Sequence, residues 1–143
     1  MKLFAIFSGM MLSLCFTSIL QAEDKDLQEL EGNYSIISLK QGGRTLGKDD
    51  AQKTKVRFKG DVFSLIIKGE EKAAQIKLDI SKQPRTIDFI PNEGLDKGKT
   101  YLGIYKIEKD ELTIAFVKTG ERPKEFNSEN DVTLMKLKKE EGK

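Results

Sequence analysis

The sequence predicts an all-β fold: an eight-stranded antiparallel up-and-down barrel preceded by a short N-terminal helical turn. Three observations carry that reading. Apolar and polar residues alternate with period two in short segments, as strands with one buried face require. Turn residues separate these segments at short, regular intervals, and no long stretch has helical periodicity. The short links favour up-and-down connectivity, and closing the sheet removes the unpaired edges that an open sheet would leave.

The start of the chain reads as a secretory signal peptide over residues 1–22. Met1-Lys2 is basic, Leu3 to Leu20 is apolar apart from small residues, and Gln21-Ala22 supplies a small residue at the cleavage point. The apolar run approaches the length of a membrane-spanning helix. The acidic Glu23-Asp24 beyond it and the cleavage pattern nonetheless fit export better than anchoring. Cys15, the one cysteine, lies inside this segment behind a bulky Leu14, which argues against a lipid-modified N-terminus. The expected product is one domain over residues 23–143, its core at about 27–138, exported to the periplasm or beyond the cell. It has no disulfide and no membrane span once cleaved.

Beyond the leader, Asp26 to Glu31 fits one or two helical turns with Leu27 and Leu30 on one side, stopped by Gly32-Asn33. Tyr34 to Leu39 follows as a strand with apolar residues on both faces, read as partly covered outside, for which the leading helix is a candidate. Gln41 to Arg44 is a turn, and Leu46 to Lys53 is either a loop or a short helix over Asp49 to Gln52. Val56 and Phe58 mark a strand, Lys59-Gly60-Asp61 a tight turn, and Val62 to Ile67 the next strand. Lys68 to Glu71 reads as another turn, with Ala74, Ile76 and Leu78 alternating after it. Pro84 ends a connection before a strand around Ile87 and Phe89, which Pro91 to Gly94 terminates.

The clearest signal is a hairpin over residues 98–126. Tyr101, Gly103, Tyr105 and Ile107 share one face, Leu112, Ile114 and Phe116 share another, and Lys109-Asp110 is the turn between them. Tyr105, Leu112, Ile114 and Phe116 are expected in the core. A polar loop leads to a last strand over Val132 to Leu137, with Val132 and Leu134 read as inward, and a charged tail closes the chain.

Composition excludes several chemistries. The chain has no His and a single Cys in its leader, so neither a Ser-His-Asp nor a Cys-His system can be built, nor a His/Cys zinc site. Acidic and basic residues are interspersed and nearly balanced at a net charge of +2, which is a solvated surface and not a nucleic-acid footprint. No acidic pair has the apolar setting that carboxylate catalysis needs. The reading is of a non-enzymatic protein without cofactor or metal, and a monomer.

Several segments together resemble a known family. Leu27 to Tyr34, the Phe58 to Asp61 turn, the Pro84 to Asp88 strand start, Gly98 to Thr100, Gly103 to Tyr105 and Glu121 to Phe126 are similar, in order, to the lipocalin-like domain found as many paralogues in planctomycete bacteria. The resemblance covers about the whole chain after the leader. It implies export and a lipocalin-like barrel, and no established activity. The family usually has Trp where this chain has Tyr34, as lipocalins do at their Gly-x-Trp start. In lipocalins a late Arg commonly lies across that aromatic, so the resemblance implies that Arg122 stacks on Tyr34 and closes one barrel end. Read from the residues alone, Arg122 is first an exposed loop residue paired loosely with Glu121 or Glu125, with an anion-binding residue of a ligand site as the further alternative.

Two functions stand at this point. One is a binding module holding a small apolar or amphipathic ligand in the barrel mouth. The other is a filled barrel acting in the cell envelope through its outer surface and loops, of which Gln41–Lys53 and Lys118–Asp131 are the longest. An internal pocket above roughly 300 Å³ favours the first, and a packed interior favours the second. The leader itself gives a direct test: intact-mass measurement of protein from its native host is expected to give a chain beginning at Glu23. A species retaining Met1, or carrying lipid on Cys15, would contradict it.

Overall fold

The computed structural model describes residues 25–141. The leader and its cleavage point therefore lie outside the described residues. A first helix, α1, spans residues 25–30. It is followed by β1 (Gly32–Gln41), β2 (Arg44–Thr45), α2 (Lys48–Lys53), β3 (Thr54–Lys59), β4 (Val62–Ile67) and β5 (Glu70–Asp79). The chain continues through β6 (Arg85–Pro91), β7 (Tyr101–Glu108), β8 (Glu111–Val117) and β9 (Thr133–Lys139).

Each strand from β3 onward pairs antiparallel with its successor, β1 pairs with β3, and β9 returns to β1. The sheet is thus a closed eight-stranded barrel, with the two-residue β2 as a spur on the end of β1. Among the described residues no helix is long and apolar enough to cross a membrane.

Local chemistry explains the connections. Lys68 and Gly69 alone form the β4–β5 turn, both at positive φ (52° and 85°), as a two-residue hairpin loop requires. Glu70 to Ala73, half of which reads in sequence as turn, instead extends β5 with polar residues to the barrel rim. α2 takes the helical option for Leu46 to Lys53, with Asp49 and Asp50 in its first turn and Lys53 in its last, as the helix dipole favours.

Gly103 sits where β7 passes closest to its neighbours. A Cβ there would lie 2.9 Å from the Ala115 carbonyl oxygen, 3.0 Å from Phe116 Cβ and 3.1 Å from the Ile87 carbonyl oxygen. Only glycine fits that approach.

Three packing details differ from the sequence reading. A bulge between Ile36 and Ser38 shifts the β1 register, so Tyr34 and Ile36 face inward before it and Leu39 after it. That slip, and not an outer covering, accounts for apolar residues at both parities, and it leaves Ile37 49% exposed. In β9 the inward residues are Thr133, Met135 and Leu137; Val132 and Leu134 do not belong to the core. Leu134 shares the outer face with Lys136 and Lys138, and the charged pair fixes which parity meets water. Phe116 is inward but only half-buried, whereas Ile114 is fully buried.

The outer face of β7–β8 is also dry. Ile104, Ala115 and Val117 point away from the interior yet are buried. Residues 118–132 fold back over them as a strap, with Pro123 buried, and Lys106 Nζ lies 4.9 Å from the Phe126 ring centre.

Ile114→Ala is therefore expected to lower stability by about 2–5 kcal/mol in urea unfolding. Phe116→Ala only widens space already open, and is expected to lose less than Ile114→Ala. Equal losses at the two positions would mean that the interior is packed beside Phe116.

Candidate functional site

Strand direction gives the barrel two unlike ends. β1, β4, β6 and β8 run from one end to the other, and β3, β5, β7 and β9 run back. α1, the β3–β4 and β7–β8 turns and the β5–β6 link gather at the first end. The longer loops gather at the second.

The first end is closed by α1. Leu30 is fully buried there, which contributes about 1.5–3 kcal/mol, and Leu27 packs beside the same cluster. The Tyr34 hydroxyl donates to the Leu30 carbonyl oxygen at 2.7 Å, satisfying a C-terminal helix acceptor. Asp26 is 8% exposed and holds α1 to the sheet. Its carboxylate accepts from Arg85 Nη1 at 2.7 Å and from the Tyr105 hydroxyl. The Arg85 guanidinium also lies 5.5 Å from the Tyr105 ring centre.

The pair implied by the resemblance is only half placed at this end. Tyr34 is there, with its ring edge-on to Phe58 at 5.5 Å between centroids. Arg122 is not brought to it. β8 starts at the closed end, so the loop that follows it emerges at the open end and crosses the outer face. Arg122 Nη1 donates to the Gly103 carbonyl oxygen at 2.7 Å and lies 2.7 Å from an Asp88 carboxylate oxygen. It is neither the loosely paired loop residue nor part of the cavity lining; it pins the strap to β6 and β7. The cation over an aromatic ring at the closed end is Arg85, on Tyr105.

The second end is open and hollow. A cavity of about 1000 Å³ descends from it into the barrel. Its deeper wall is apolar: Ile36, Leu39, Phe63, Leu65, Phe89 and Met135 all line it. The space exists because Thr54, Ala74 and Thr133 place short side chains at inward positions. The Thr54 hydroxyl donates to the Asp50 carbonyl oxygen at 2.9 Å, so it adds little polarity to the wall.

A chain of aromatic rings crosses the interior. Phe58, Phe63, Phe89 and Phe116 follow one another at centroid distances of 5.3, 5.1 and 5.6 Å. Tyr101 stacks on Phe116 at 6.1 Å near the opening. Such tilted and stacked contacts hold the rings in place with no ligand to support them.

The rim is charged. Asp96 accepts from the Tyr101 hydroxyl and lies 3.3 Å from Lys99 Nζ, and Lys118 Nζ is 5.8 Å from the Tyr101 ring centre. On the far side Glu71 is paired with Arg57 at 2.9 Å. This site is a container: it can desolvate an apolar body, and at its opening it meets water and charge.

Both ends of the barrel act on the three tyrosines of the chain. Burial pushes the Tyr34 phenol up to about 12. Burial, reinforced by the hydrogen bond to Asp96, pushes Tyr101 up to about 12. Burial, and after it Asp26, raises Tyr105, against the opposing charge of Arg85. A raised pKa means that the folded chain holds these protons more tightly than the unfolded chain, whose phenols titrate near about 10. The stabilisation is fully present below about pH 10 and is lost as pH rises toward the folded values. In an alkaline titration, tyrosinate absorbance is expected to lag behind that of free tyrosine and to grow together with loss of the sheet's circular dichroism. Tyrosinate absorbance that reaches half its final value near about pH 10, as free tyrosine does, with the sheet intact would contradict it.

No family model, curated protein or solved structure matches the chain, so the functional reading rests on the barrel and its cavity.

Proposed function

We propose that the protein is an exported, non-enzymatic, lipocalin-like binding module that holds one small apolar or amphipathic ligand in the open end of its barrel. The observation that carries this is the cavity of about 1000 Å³ with its apolar wall. It is well above the roughly 300 Å³ at which ligand sites begin, and a few polar groups at the opening of an apolar pocket are the usual layout of such sites. The leader pattern supports export, and the near-neutral surface supports a monomer that stays free of nucleic acid. The lipocalin-like resemblance is part of the same proposal.

The competing reading, a filled barrel working through its loops and outer surface, has less support. The interior has room. Residues 118–132, one of the two long loops, are spent in covering the barrel's own outer face. Ile37 and Leu95 are the exposed large hydrophobics among the described residues, and two single side chains do not make an apolar docking patch.

Binding is expected to be saturable for the neutral dye N-phenyl-1-naphthylamine, read as a rise in its fluorescence, with dodecanol displacing it. Ala74→Phe, which fills the cavity from β5, is expected to weaken dye binding by roughly tenfold or more, as the loss of about 1.4 kcal/mol of apolar burial would. A wild-type protein that takes up neither dye nor dodecanol overturns the proposal.

A further inference from the structure

β5 turns from apolar to charged along its inward face as it nears the open end. Its inward positions are Glu70, Lys72, Ala74, Ile76 and Leu78 in order from the rim. Ala74 and Ile76 are buried in the core. Lys72 comes next on the same face, roughly 7 Å nearer the opening at about 3.4 Å per residue. Its partner across the β4–β5 ladder is Leu65, also a cavity residue. Lys72 is exposed and lines the cavity, so its stem runs up an apolar wall and its ammonium reaches the water at the mouth.

Of the other charges that line the mouth, Asp50 and Lys53 stand on α2, Lys68 in the β4–β5 turn and Glu93 in the loop after β6, all off the strands' inward rows. Glu71 faces outward and is held by Arg57 at 2.9 Å. Asp96 is taken by Lys99 and by Tyr101. Lys118 leans on the Tyr101 ring and contributes to the field on Asp96. Among the described residues no ion pair or side-chain hydrogen bond includes Lys72. Glu70, the inward acid on the same strand, lies a further two residues out. A polar head at the level where the apolar wall of β5 ends therefore meets the Lys72 ammonium before it reaches Glu70.

We propose that the ligand is a single-tailed amphiphile with an anionic head, and that Lys72 receives that head while the tail lies against Phe63, Phe89 and Met135. This rests on the binding reading above and adds the head chemistry to it. A Lys is a point charge that accepts carboxylate or phosphate oxygens without a fixed fork geometry, so both heads fit.

The test displaces N-phenyl-1-naphthylamine from the full domain with four compounds of one tail length: dodecanoate, dodecyl phosphate, dodecanol and dodecyltrimethylammonium, each below its micelle concentration. Dodecanoate or dodecyl phosphate is expected to bind about fivefold more tightly than dodecanol, the ratio that about 1 kcal/mol gives for a part-exposed charge pair, with the ammonium weakest. Lys72→Met is expected to bring the ratio of anion to dodecanol affinity to about one, and Lys72→Arg is expected to restore the preference. Which of the two anions binds better identifies a carboxylate or a phosphate head. Equal binding of dodecanol and both anions, tightest binding of the ammonium, or a preference that survives Lys72→Met overturns the head assignment and leaves the cavity reading standing. Displacement by none of the four, together with no dye uptake, overturns both.

Discussion

The ladder between β1 and β9 turns a meander into a container. It runs from Tyr34 opposite Lys139 to Gln41 opposite Thr133, and it joins the first strand to the last. Without it the sheet has two unpaired edges and one continuous apolar face open to water. With it, that face becomes an interior, and inward and outward positions acquire different fates along every strand. The bulge at Ile37 lies within this ladder. It lets β1 keep Tyr34 inside at one end and Leu39 inside at the other while the strand bends along the wall. The cavity wall and the core thus share one constraint, the register of the closing pair.

The two ends are then finished in opposite ways. At one, α1 brings Leu30 and the Asp26 carboxylate, and two strands answer with Arg85 and Tyr105. A nearly buried carboxylate is tolerated there because a guanidinium and a hydroxyl both reach it, and removing either partner would leave a charge without compensation. At the other end nothing equivalent fills the opening. Short inward side chains leave space, and the aromatic chain from Phe58 to Tyr101 keeps the walls apart. A rigid, plugged base and a pre-formed mouth go together, since a cavity that must stay open without a ligand needs its walls held from below.

Much of the barrel was legible in the sequence because alternation with period two is a local signal. The hairpin at Lys109-Asp110 and the core residues Tyr105, Leu112 and Ile114 follow from it, while the helical turn before Gly32 follows from the spacing of Leu27 and Leu30, and the closure of eight strands from the short links and the edges an open sheet would leave. What was not legible depends on relations between distant strands. The inward parity of β9 had a local clue in Lys136 and Lys138, which mark the wet face against Leu134. The bulge had a clue in the mixed parity of β1, but its resolution needed the β9 register.

Arg85, and not Arg122, had a clue as well. Counting strand directions from α1 puts the start of β6 at the closed end and the loop after β8 at the open one. The cavity itself left no trace in residue counts. Large inward side chains are numerous enough to fill a small barrel, but they are concentrated toward the closed end, and their distribution along the axis decides whether a barrel is solid.

The strap over β7 and β8 is the remaining step from sequence to function. Gly103 lets β7 come close to its neighbours and to Phe116, and its carbonyl accepts from Arg122. The same residue therefore serves both faces of the wall. Inside, the missing side chain lets Phe116 lie in the aromatic chain beside the cavity. Outside, the Arg122 contact holds residues 118–132 over Ile104, Ala115 and Val117, which would otherwise expose an apolar stripe. A wall dry on both faces is stiffer than one that meets water. Lys118 and Tyr101, at the end of that wall, form one lip of the mouth, and Lys72 stands on β5 at another part of the opening. The charges that a ligand meets on entry are thus carried by strands whose positions the interior packing has already fixed.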